Sequence, residues 1–322
     1  MKKNLFGTFL LSLTLFTSCS SDDSNSTPID PVGQNRKILF EVSIGNSNDY
    51  HLFVMNTDGS NGIQLTNFTN SNGIYTGDAS WSPDGSKVVF ITGKDNDGGS
   101  GIYIMNSNGS NITRINHTFI GEGEQNPKYS PNGNKILFET QIGNDSHIFV
   151  MNTDGSNEIQ LTNFTNTDGV YTGDASWNSD GSKIIFQTNK DNDGGSGIYV
   201  MNSDGSNVVR VNHSTVGEGE QNPKFSPDGT KILFETQIGD NSHIFVMNVD
   251  GTNEIQLTNF TDSNGVYTGD ASWNANGSKI IFITDKDNDG GSGIYTMNTD
   301  GSNLTRVNHN FIGNGEQNPV WK

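Results

Sequence analysis

Six aromatic residues stand 48 positions apart: Trp81, Tyr129, Trp177, Phe225, Trp273 and Trp321. A fixed period of this length constrains the fold strongly, because every copy must build the same small unit and bury its apolar face against its neighbours. Four of the first five aromatics precede Ser-Pro-Asp-Gly or a close variant, at 82–85, 130–133, 178–181 and 226–229. The fifth precedes Asn-Ala-Asn-Gly at 274–277. Each turn leads into an apolar run such as Val88-Val89-Phe90 or Ile136-Leu137-Phe138. A second run ends in Met-Asn and another turn, as in residues 148–155, and a Gln-Leu-Thr or Arg-Val-Asn segment closes the unit.

The runs are short, rich in Ile, Val, Phe and Tyr, and bounded by Gly, Asn and Asp, which is the pattern of strands. Asp-Gly and Asn-Gly supply the positive φ that hairpin turns demand. No window carries a sustained helical period. Four strands every 48 residues, repeated six times, predict an all-β, six-bladed β-propeller. The units alternate, Gly-Asp-Ala-Ser-Trp at 77–81, 173–177 and 269–273 against Glu-Gln-Asn-Pro at 124–127, 220–223 and 316–319. The true copy is therefore a two-blade unit of 96 residues, present three times. The first unit begins at Lys37-Ile38-Leu39-Phe40, a second strand, and residues 316–322 form a first strand alone. The C-terminal strand is thus expected to complete blade one and close the ring, covering the edges an open array would expose.

Trp-Ser-Pro-Asp-Gly-Ser-Lys at 81–87, followed by Ile-Tyr-Ile-Met-Asn-Ser-Asn-Gly-Ser-Asn at 102–111, closely resembles the WD40-like repeat of TolB-type propellers. The resemblance recurs through residues 37–322. It implies the fold more than a function, because this propeller serves unrelated roles. In the family it occurs in a periplasmic protein that binds a lipoprotein partner, beside peptidase domains, and, in a divergent seven-bladed form, in oligogalacturonate lyases. The family topology implies that the aromatic strand lies innermost. The Pro-Asp-Gly turns then fall on one face, and the longer loops entering the inner strand fall on the other.

Residues 1–18 read as a signal peptide: Lys2 and Lys3 precede an apolar stretch from Leu5 to Phe16 that is too short to span a membrane. Cys19 is the only cysteine, so no internal disulfide forms. Its setting resembles the lipobox of bacterial lipoproteins, with Phe16 a departure from the usual leucine, and implies lipidation at Cys19. Residues 19–35 form a polar, Pro-containing tether, and residues 36–322 form the propeller. The Ser-Ser-Asp-Asp run after Cys19 is similar to the acidic signal that sends Bacteroidota lipoproteins to the outer face of the cell. The membrane is then met only through the lipid anchor, in the outer membrane. The net charge of −18, with 36 acidic against 18 basic residues, excludes nucleic acid as an expected partner.

Residues starting the inner strand converge on the axis: Asp78, Asp174 and Asp270, alternating with Gln125, Gln221 and Gln317. Such a ring can hold a cation or hydrogen-bond a sugar or peptide; its side chains can equally cap neighbouring loops. The six histidines form two threefold sets, 51/147/243 and 117/213/309. Both sit on the third and fourth strands, about 10 Å or more outside the inner strand, too far out to share a metal. Asp285, Asp287 and Asp289 open a Ca²⁺-loop pattern, but the other copies have Gly93 and Asn189 at its first position, and Thr296 replaces the closing glutamate. A hairpin turn and a Ca²⁺ site both remain open readings, and no other cofactor is expected.

Glu122, Glu124, Glu218 and Glu220 suggest acid–base chemistry, yet catalysis separates roles between unlike groups. Here candidates recur in near-identical threes. The departures noted are an insertion near Asn46–Tyr50, Asn314 and Asp285, none of them a nucleophile, and no Gly-x-Ser-x-Gly elbow is present. The expectation is a non-enzymatic, monomeric cell-envelope lipoprotein that binds a protein or glycan. The alternatives are a polysaccharide-acting enzyme resembling the oligogalacturonate lyases, and a Ca²⁺-stabilised adhesive module.

Overall fold

The computed structural model describes residues 37–44, 49–68, 74–95, 100–115, 122–165, 169–191, 195–211, 218–262, 265–287, 291–309 and 314–322. Cys19, the signal and tether segments, Asp289, His117 and His213 lie outside them. No helix among the described residues is long and apolar enough to cross a membrane.

Each repeat forms a four-stranded antiparallel sheet. Blade two runs outward through Thr76–Trp81, Lys87–Thr92, Gly101–Asn106 and the two-residue Thr113–Arg114. Blades three to six follow with inner strands Glu122–Tyr129, Thr172–Trp177, Glu218–Phe225 and Thr268–Trp273. Blade one is the composite the sequence predicts: Asn314–Trp321 pairs with Lys37–Ser43, placing Trp321 opposite Ile38 and Val320 opposite Leu39. The third and fourth strands of blade one are Tyr50–Asn56 and Ile63–Gln64.

The middle strands are sandwiched between neighbouring blades, so both of their faces are apolar; Val88 through Thr92 is buried without a break. The core is a set of six inter-blade layers rather than one central mass. Leu39, Val54, Trp81 and Phe90 join blade one to blade two. Ile38, Phe40, Ile281 and Ile294 join blade six to blade one. Those two layers close the ring.

Every inner strand carries a β-bulge. In blade two the register slips between Gly77 and Ser80, and in blade three between Gln125 and Lys128. At each bulge one residue takes the left-handed conformation: Asp78, Asn126, Asp174, Asn222, Asp270 and Asn318, with φ of 47–53°. These six stand 48 apart, and all are Asp or Asn, the side chains that best tolerate that region. A bulge re-aims its side chain and interrupts the ladder. The aspartate side chains turn toward the next blade, and those of the asparagines return to a glutamate on the second strand of their own blade.

Candidate functional site

An inner strand in a propeller has one paired edge and one free edge facing the axis, so its free N–H and C=O groups need partners. The bulge residues supply them. Asp78 Oδ2 accepts from the Asn126 N–H at 3.1 Å, Asp174 from Asn222 at 3.2 Å, and Asp270 from Asn318 at 3.0 Å. Lysines stitch the alternate junctions: Lys128 Nζ donates to the Ala175 carbonyl at 2.8 Å and Lys224 Nζ to Ala271 at 2.6 Å. The repeat places Val320 where the third lysine would stand.

The three aspartates take the inner-strand positions expected of them. The repeat-equivalent of Asp78 in the next blade, however, is Asn126, 48 residues on, rather than its neighbour Gln125. Gln125 and Gln221 are exposed and Gln317 is half-buried, beside the asparagines whose N–H groups meet the carboxylates.

Strand starts are not the only source of axial groups, which corrects the sequence reading. Glu41, Glu139 and Glu235, on the second strands of blades one, three and five, reach the same network from behind and are only 1%, 3% and 5% exposed. Glu139 Oε1 accepts from the Ala175 N–H at 2.9 Å and Oε2 from Asn126 Nδ2 at 3.2 Å. Glu235 makes the equivalent bond to Ala271 N–H at 2.8 Å. Burial pushes both carboxyls up to about 8; the neighbouring aspartates add to the rise, and Lys128 and Lys224 oppose it. Glu41 has no lysine beside it, and burial together with Asp78 and Asp270 holds it well above the carboxylate range. Asp78 and Asp270 are raised by burial, against the pull of the Asn126 and Asn318 N–H groups. Burial lowers Lys224, with the Lys128 charge in support.

Tyrosines cap the carboxylates. Tyr75 Oη donates to Asp78 Oδ1 at 3.1 Å and approaches Glu41 Oε2 at 3.4 Å. Tyr75, like Tyr171 and Tyr267, stays 37–45% exposed. Gly77, Gly173 and Gly269 make this possible, since a Cβ at Gly77 would lie 2.5 Å from both Glu41 Oε2 and Tyr75 Oη. Burial raises all three phenols. Threefold symmetry fails once more at Gln187, where the other copies have Ile91 and Ile283: its Nε2 donates to Asp174 Oδ2 at 2.5 Å. Both breaks, Gln187 and Val320, add to the few departures noted in the sequence.

At the opposite end of the inner strands, Trp177, Phe225, Trp273 and Trp321 surround a cavity of about 260 Å³ that reaches Lys224. The axis therefore runs from tyrosines and carboxylates, past two lysines, to an aromatic funnel.

The other predicted groups lie elsewhere. His51, His147 and His243 are buried in third strands, in register with Val42, Thr140 and Thr236, and burial lowers all three. His309 Nε2 lies 3.1 Å from Glu316 Oε1. Asp285 Oδ1 accepts from the Tyr267 N–H at 2.9 Å, and Asp287 is engaged by Lys286 and Tyr295. Glu124 and Glu220 are buried. Among the described residues no three His, Cys, Asp or Glu side chains are grouped as a metal would need.

Fold and site together define a closed six-bladed β-propeller with a near-threefold set of ionisable groups on its axis. The chain belongs to the TolB beta propeller domain family, whose model matches residues 30–169 and 213–322. Among solved structures it is similar to TolB from Acinetobacter baumannii, with a TM-score of 0.71 and 20% identity over 88% of this chain and 66% of that one. It thus spans just under two thirds of that chain. The structure of putative TolB from Agrobacterium tumefaciens matches with a TM-score of 0.64 and 18% identity, over 85% and 90% of the two chains. An oligogalacturonate lyase in complex with manganese matches at 0.54 and 14% identity, over 84% and 72%. At these identities the likeness is one of fold.

Proposed function

We propose that this protein is a non-enzymatic binding and scaffold lipoprotein of the cell envelope, tethered to the outer membrane through a lipid on Cys19. Its propeller holds a protein or glycan at the tyrosine-lined mouth of the axis. The observation that carries this reading is the threefold repetition of one polar unit: an exposed tyrosine ring over an aspartate and a buried glutamate. Repetition suits recognition, where equal contacts add. It suits catalysis poorly, because an acid and a base need environments that push their pKa values apart. Glu139 and Glu235 are instead raised alike, from the same cause. Membership of the TolB beta propeller domain family supports a binding role. A polyanionic sugar would meet a chain of net charge −18, which disfavours the lyase-like alternative.

In native cells, crosslinking followed by pull-down should recover a partner with the wild-type chain and lose it with Tyr75, Tyr171 and Tyr267 all changed to Ala. A glycan array separates sugar from protein. Recovery of the same partner by the triple variant would sink the proposed mouth. Turnover of a uronate polymer, lost on changing a single copy, would replace binding with catalysis. Labelling with an alkyne fatty acid should disappear in Cys19→Ala.

A further inference from the structure

The three odd-numbered blades offer the same receptor for an ammonium group, and only two of them fill it. In blade three, Lys128 crosses to the Ala175 carbonyl beside Glu139 and Asp174; in blade five, Lys224 crosses to Ala271 beside Glu235 and Asp270. In blade one the matching elements are Ala79, Glu41 and Asp78, and the side chain packed there is Val320, which has no donor and is shorter than lysine by the length of an aminoethyl group. The junction has adjusted locally. Glu41 Oε1 takes the N–H of Asp78 at 2.6 Å, whereas Glu139 and Glu235 take that of the alanine one residue later. Glu41 is also the most deeply buried of the three glutamates, at 1% exposure. Glu139 and Glu235 each feel a lysine charge held on the neighbouring alanine carbonyl, and Glu41 has no cation at the equivalent place. The aromatic funnel has Lys224 on one wall and Trp321, the neighbour of Val320, on another. Aromatic faces attract an alkylammonium at such an entrance.

We infer that the Val320 junction is a binding site for a primary alkylammonium group, entering through the aromatic funnel and donating to the Ala79 carbonyl beside Glu41, as Lys128 and Lys224 do in their own junctions. The group can come from a lysine side chain of a partner protein or from a free polyamine. The inference rests on the binding-module reading and adds the chemistry of one subsite to it.

The test uses the full chain, n-butylammonium as the lysine-side-chain mimic, and tetramethylammonium at equal ionic strength as the control for screening of the net −18 charge. n-Butylammonium should raise the melting midpoint by about 2–4 °C near saturation, and tetramethylammonium should not. Val320→Lys supplies its own ammonium and should abolish the response. Val320→Met fills the length without charge and should abolish it too. Glu41→Gln should weaken binding by tenfold or more in calorimetry. Tighter binding of spermidine than of acetyl-Gly-Lys-Gly-amide identifies the polyamine source, and the reverse order identifies a partner lysine. Equal shifts with both small cations, or an undiminished response in Val320→Lys, would overturn the site. A partner still recovered by crosslinking in that case leaves the binding module standing without this subsite.

Discussion

Two kinds of junction hold the axis together, and they differ by one side chain. Where blade three meets four, and five meets six, a lysine ties the free edge of the next inner strand and offsets a buried glutamate. Where blade one meets two, Val320 makes an apolar contact with the layer of Leu39 and Trp81, and Glu41 keeps only neutral partners. The same backbone, bulge and register thus tolerate either an electrostatic or an apolar seam. Packing between blades sets the ring; the axial charges tune individual junctions.

The severest way to break the comparison is to remove the apolar seam altogether. Deleting 316–322 takes away the inner strand of blade one and bares the edge of Lys37–Ser43. Cooperative melting should be lost, with association through the exposed edge visible by size-exclusion chromatography. A monomer that still melts sharply would show that closure is dispensable.

Next in size is Lys224→Met, which strips the donor from the Ala271 carbonyl and the cation from Glu235. It should cost about 1.5–3 kcal/mol in denaturant unfolding. Val320→Met, at the seam with no lysine to lose, should cost less than about 1.5 kcal/mol. Equal costs would mean that the lysines contribute packing alone.

A smaller effect concerns pH. Glu139 and Glu235 have folded-state values raised to about 8, so the folded chain holds protons that the unfolded chain gives up from about pH 4.5 upward. Their stabilising contribution is full below that lower value and is lost as pH rises through about 8. The melting midpoint should therefore fall between pH 5 and 8, and Glu139→Gln, neutral throughout, should flatten the slope. A midpoint that rises over this window would contradict the assignment.

The smallest expected effect is that of chelation. Because Asp285 and Asp287 already serve a backbone N–H, a lysine and a tyrosine, EDTA should leave the melting midpoint unchanged. A drop of several degrees would install Ca²⁺ in those hairpins.

The fold was legible because its signal is redundant: six aromatics, six Met-Asn turns, a first unit without its first strand and a lone first strand at 316–322 all indicate one closed ring. The site was legible in part. Asp78, Asp174 and Asp270 stood out as acids at the starts of inner strands. Their partners are Asn126, Asn222 and Asn318, one residue beyond the expected glutamines, and the 48-residue period counted from each aspartate lands on them. Glu41, Glu139 and Glu235 were hidden inside runs read as apolar, Ile-Leu-Phe-Glu, although an acid recurring in three buried strands is a usable signal. Lys128 and Lys224 stand beside the conspicuous aromatics Tyr129 and Phe225, and only their carbonyl partners on the next blade set them apart from surface lysines. Contacts between blades join residues 36 to 48 positions apart, and local motifs do not connect them.

The composite first blade also decides how the ring carries load. Lys37–Ser43 is the first described strand, and it lies between two others, hydrogen-bonded to Asn314–Trp321 on one side and Tyr50–Asn56 on the other. A pull applied ahead of Lys37 along the strand shears two ladders at once instead of unzipping one bond at a time. Tension at Lys322 meets an inner strand paired along one edge only, and can peel it away. The two ends of the chain should therefore differ in mechanical strength, the N-terminal side being the grip and the C-terminal side the release.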